Sequence, residues 1–274
     1  MADVTWQGDD TTNPTDVNTG ANYSTGSLPT GGDHLRLVAN YNGSLSDNLS
    51  SLSAISLGDF VVENGYSGAI ATLGTPLDIQ CSRFEFSGSG RSYVNLQSSS
   101  IDAIIHSTSQ NAGVGKRGLY LTGTALQTVS VRGGDVGLAS EHGDTTTVQT
   151  LRVHDGQTYV GNGCTLTTVD LYGGIVHLNT NVTNLNVYGG TVVLAEDADV
   201  TTLTLEGGTV ENTGSGDITT ATLKGGLLAM RGGIARTIST LNYYAGGSLE
   251  FDDDVVTLST INLYGPVRLS STRI

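Results

Sequence analysis

One short phrase recurs seven or eight times between Val129 and Ile274, and it limits the fold more than any other feature. It reads TVSVRGGDVGLAS around Gly133, TVDLYGGIVHLNT around Gly173, NLNVYGGTVVLAE around Gly189 and TLTLEGGTVENTG around Gly207. It returns as ATLKGGLLAMRG, TLNYYAGGSLEFDD and TINLYGPVRLSS, and in degenerate form as TLRVHDGQTYVGN. Successive turn centres at Gly133, Asp155, Gly173, Gly189, Gly207, Gly225, Gly246 and Gly265 are 22, 18, 16, 18, 18, 21 and 19 residues apart. Such a period, built as strand, glycine pair, strand, is the signature of a stacked repeat.

Within a repeat the physics is simple. Val169 and Leu171 flank Asp170 and share one strand face. Gly173-Gly174 then turns the chain, because glycine reaches positive φ without a Cβ clash. Gly-Gly between strands also suits a β-hairpin. The coil is favoured because the repeats copy their side chains as well as their turns, as stacking like on like requires. The expected fold is therefore all-β: a single-stranded right-handed parallel β-helix with about 16–22 residues per coil. Its structural turns are Gly133-Gly134, Gly173-Gly174, Gly189-Gly190, Gly207-Gly208, Gly225-Gly226 and Gly246-Gly247. Residues before the turns, Arg132, Tyr172, Tyr188, Glu206, Lys224, Ala245 and Tyr264, should form an outward ladder, rungs about 4.8 Å apart. That ladder places Tyr172 on Tyr188 and Glu206 beside Lys224.

Composition removes several classes of function. Twelve Lys and Arg against 26 Asp and Glu give a net charge of −14, which argues against nucleic acid as a partner. No apolar run is long enough for a membrane span. Cys81 and Cys164 have neither disulfide-framework nor zinc spacing and are expected as buried small residues. The start MADVTWQGDD lacks the basic and apolar parts of a secretory signal, so synthesis and folding in a cytoplasm are expected, with export, if any, by another route.

Three regions follow: an irregular leader and cap over 1–33, irregular coils with longer loops over 34–128, and regular Gly-Gly coils over 129–274. Stretches 64–76 and 107–118 read as excursions from the coil. In the leader, Trp6-x-Gly8, Asn22-Tyr23, Leu28-Pro29 and Gly32-Asp33 precede the first regular strand. This order resembles the W-x-G, N-W, x-P-x-x-x-D opening of many bacterial and viral β-solenoid proteins, with Tyr23 in place of tryptophan. It covers about thirty residues. Trp6 and Tyr23, with the adjacent basic pair Lys116-Arg117, are the candidate partner contacts.

Motifs for chemistry are few. His34, His106, His142, His154 and His177 lack metal-site spacing. The sequence has no Walker loop, no G-x-G-x-x-G set after a strand and before a helix, and no G-x-S-x-G nucleophile elbow. Asp170, Glu206 and Glu211 fall on different repeats, whereas Glu196, Asp197 and Asp199 share a loop. Spacing alone does not set two carboxylates across a groove as glycoside hydrolysis needs. Asp252-Asp253-Asp254 offers oxygen ligands for calcium but does not match the calcium-binding nonapeptide. No catalytic residue, cofactor or metal is expected.

The Gly-Gly coils and the Trp6 opening resemble β-helical virion proteins of tailed bacteriophages: capsid decoration proteins, head fibres and tail spikes. The resemblance implies a non-enzymatic virion protein, commonly a homotrimer, folded in the host cytoplasm and bound to the major capsid protein. The alternatives are a carbohydrate-binding adhesin or a receptor-binding tail spike that contacts, or cleaves, a surface glycan.

Overall fold

The computed structural model describes residues 1–108, 117–141, 143–251 and 256–265. Helix is confined to Ser50–Ser53 and a 3-10 turn at Gly20–Asn22 among the described residues. Everything else of regular structure is strand, and the named strands pair in parallel. The hairpin alternative is thereby excluded: each repeat is one coil of a parallel β-helix. The chain divides into two compact units, Met1–Leu166 and Thr167–Ile274.

In the first unit, strands Asp3–Trp6, His34–Leu37, Ser56–Val62, Leu77–Phe86, Ser92–Ile105, Leu119–Val131 and Thr146–Val153 stack in chain order. Their register puts like on like. Trp6, Leu37, Val62, Phe86, Ile105, Val131 and Val153 form one inward column, and all are buried. A neighbouring column runs Val4, Leu35, Phe60, Phe84, Ala103, Val129, Leu151. A second face forms where Asp135–Leu138 pairs with the start of Leu119–Val131 and with Gln157–Val160. Single bridges Leu45–Ile70 and Ile70–Ser92 extend that face. Stretch 64–76 is therefore not a mere excursion, since it supplies buried Tyr66 and Ile70 to the core.

The leader contains the first rung. Trp6 packs edge-on against Tyr23, ring centroids 5.2 Å apart, and its indole N–H donates to the Gly43 carbonyl at 3.1 Å. The Asn22 amide donates to the carbonyls of Asn13 and Asp16 and accepts from Asp10 N–H. Asp33 accepts from Ala2 N–H, Thr30 N–H and the Thr30 hydroxyl. These bonds give irregular backbone partners that a sheet would otherwise supply.

The second unit is more regular. Strands Val182–Val187, Val200–Leu205, Ile218–Leu223, Arg236–Tyr244 and Val256–Tyr264 stack on one side. Short strands Ile175–Leu178, Thr191–Leu194, Thr209–Asn212, Leu227–Met230 and Ser248–Phe251 stack on another. Val187 pairs with Leu205 and Leu205 with Leu223, a step of 18 residues each time. The step from Leu223 to Tyr243 is 20, because an Arg231-to-Ala235 loop with Gly232 and Gly233 at positive φ is accommodated there. Asn212 interrupts the apolar column Leu178, Leu194, Met230, and its buried amide donates to the Gly216 carbonyl at 2.9 Å. Arg236, also buried, donates to the carbonyls of Asn212 and Arg231, which anchors that loop from inside.

The glycine pairs have a stacking role. Gly134, Gly174, Gly190, Gly208 and Gly226, the second of each pair, have φ between 74° and 87°. Each turn also lies on the one beneath. A Cβ on Gly208 would sit 2.4 Å from the Gly190 carbonyl oxygen, and one on Gly226 2.5 Å from that of Gly208. Gly156 keeps positive φ in the degenerate copy, whereas Gly246 and Gly247 do not adopt it.

Candidate functional site

The outward face of the second unit carries ladders built by this register. Tyr172 and Tyr188 stack with centroids 5.0 Å apart and planes 11° from parallel. Next along the column, Lys224 Nζ donates to Glu206 Oε1 at 2.9 Å. Glu206 beside it raises the Lys224 ammonium pKa, and burial followed by the Asp170 charge raises the Tyr188 phenol. The ladder then continues through Tyr244 and Tyr264, stacked at 4.7 Å. Tyr244 thus takes the position expected for Ala245, because the Tyr-Tyr-Ala-Gly-Gly turn has one residue more than its neighbours.

An adjacent column is polar and largely uncharged. Asn186 donates to Asp170, Asn242 to Thr222 and Asn262 to Asn242. Beside it, Asn184, Thr202, Thr220, Thr240 and Thr260 lie in register. At the loop edge, Asn181 accepts from Asp199 N–H, Asp199 from Asp217 N–H and Asp217 from Thr237 N–H. One side-chain oxygen per coil therefore caps the next coil.

The first unit carries a second surface feature. The parallel register slips between Leu96 and Asp102 and between Gly123 and Leu126. Bulges bend a sheet and re-aim side chains. A groove of about 500 Å³ opens there, lined by Asn95, Thr122, Thr124, Asp144, Thr145 and Thr147 among others. Burial raises the Asp144 carboxyl pKa. Its hydroxyls, amide and carboxyl can hydrogen-bond a polar ligand. Nearby in register, Tyr93 stacks on Tyr120 at 4.5 Å, and Tyr120 pairs with no such neighbour but with Gly137 on the next strand. Ser140 and Arg117 flank that glycine: a Cβ on Gly137 would lie 2.1 Å from Ser140 Oγ and 3.3 Å from Arg117 Cγ, and the Arg117 guanidinium sits 3.2 Å over the Tyr159 ring.

The expected contact residues fare differently. Trp6 and Tyr23 are 0 % and 2 % exposed, so they build the cap and leave no surface for a partner. Arg117 is half-buried and engaged with Tyr159. Lys116, His142 and Asp252-Asp253-Asp254 lie outside the described residues. Cys81 and Cys164 are buried, and burial pushes both thiols up to about 12. Among the described residues no three His, Cys, Asp or Glu side chains group so as to hold a metal ion. Also among them, no helix is long and apolar enough to cross a membrane. Sequence reasoning missed the groove, because it lies at register slips that no motif marks, and the Arg117–Tyr159 contact, because it joins residues on different coils.

Comparisons with protein-family models, curated proteins and solved structures found no match to this chain.

Proposed function

We propose that this chain is a non-enzymatic structural protein of a tailed-phage virion, bound to the capsid as a decoration or accessory protein. The observation that supports the reading is the cap. Trp6, Asn22, Tyr23 and Asp33, four residues of the opening that resembles viral β-solenoids, are those whose contacts tie down the leader. The outward ladders add to this. Their ionic and amide groups are engaged with one another from rung to rung, as suits a persistent contact surface. A homotrimer seated on the major capsid protein is the assembly this reading implies.

The test is composition. Particles from the cells that make this chain are purified on a density gradient, washed in high salt and analysed by mass spectrometry. The proposal expects this chain in fixed proportion to the major capsid protein. Its recovery only in the soluble fraction would overturn the proposal.

A further inference from the structure

Tyr172 and Tyr188 are held face to face by the backbone. Tyr188 N–H donates to the Leu171 carbonyl at 2.8 Å, which sets one residue above the other. Their rings are 46 % and 44 % exposed, so a solute can reach both. We propose that this pair is an oxidative cross-linking site, at which a one-electron oxidant such as a peroxide-driven peroxidase couples the two rings and staples one coil to the next.

The step balances. Each phenol loses one electron and one proton, giving two phenoxyl radicals, while one peroxide takes up two electrons and two protons and becomes two waters. Unpaired spin in a phenoxyl radical resides partly on the carbons ortho to oxygen. In a near-parallel stack the p orbitals of those carbons point at the neighbouring ring. A carbon–carbon bond forms between one ortho carbon of each ring. The hydrogen on each then moves to its phenol oxygen, which restores both aromatic rings. Holding the partners in place makes the coupling unimolecular and favours it over reaction between chains.

The same geometry recurs at Tyr244 and Tyr264, with centroids 4.7 Å apart and Tyr264 52 % exposed. Tyr93 and Tyr120 supply the contrast. They stack at 4.5 Å, but Tyr120 is 7 % exposed and its oxygen accepts from Arg117 N–H, so an external oxidant is kept from it.

The experiment treats the purified full chain with horseradish peroxidase and hydrogen peroxide at several protein concentrations. Dityrosine fluorescence is read on the monomer fraction, and chymotryptic peptides are mapped by mass spectrometry. The expected result is a cross-link joining the Tyr172 and Tyr188 peptides, two hydrogens lighter than their sum, with a yield independent of protein concentration. Tyr172→Phe, which keeps the stacked ring, removes that peptide, and Tyr172→Phe with Tyr264→Phe lowers monomer fluorescence at least about ten-fold. A monomer with no such cross-link, or coupling that is only between chains, overturns the proposal. So does fluorescence unchanged in the double variant.

Discussion

Gly208 is constrained twice, by its own φ of 74° and by the Gly190 carbonyl, which would lie 2.4 Å from an added Cβ. Backbone cannot yield as a flexible side chain can. Gly208→Val should therefore cost at least about 2 kcal/mol in chemical denaturation. Gly74→Ala, where an added Cβ meets nothing within 4 Å, should stay within about 0.5 kcal/mol. Equal effects at the two positions would contradict the stacking role. Asp33 gives a pH prediction. Hydrogen bonds from Ala2 and Thr30 hold its carboxyl at about 2, below the ordinary 3.8. A depressed carboxyl contributes stability that is present above its unfolded pKa and lost as pH falls through the folded one. Asp33→Asn should flatten the acid limb of a stability curve between about pH 4 and 2. The glycine pairs were legible in the sequence because the turn needs them locally. The carbonyl beneath each turn was not, because it belongs to another coil.

At the scale of the strand, outward residues are ordered by the rung below. Tyr172 on Tyr188 and Glu206 beside Lys224 could be read from the repeats, because the register copies the alignment of the Gly-Gly turns. That rule fails at Ala245, where one added residue moves Tyr244 into the column. It also fails for 64–76, where Tyr66 and Ile70 enter the core without a repeat to announce them. The capping column makes a prediction of its own. Asp199→Ala leaves Asp217 N–H without its acceptor and should cost about 1 kcal/mol, read from the denaturation midpoint. Leu203, fully buried between Leu185 and Ala221, should cost about 2–5 kcal/mol as Leu203→Ala. If Asp199→Ala costs as much as Leu203→Ala, the column is holding more than one hydrogen bond per coil.

For the whole molecule, a charge of −14 sits beside a face of Asn184, Thr202, Thr220, Thr240 and Thr260 that carries none. Acidic chains repel one another, and salt screens that repulsion over about 8 Å at physiological strength. Contact with a larger surface is therefore expected through uncharged faces, with charge kept toward solvent. The fold class was open to sequence reasoning, since every Gly-Gly repeat carries the same instruction. The function was not, because an outward column of threonine and asparagine has the same composition whether or not a partner meets it. The measurement that tests the functional reading most directly is cryo-electron microscopy of the virion, compared with particles assembled without this chain. The account predicts difference density on the outer capsid shell, at three-fold or quasi-three-fold positions. Density at the tail tip alone, or identical particles, would contradict it.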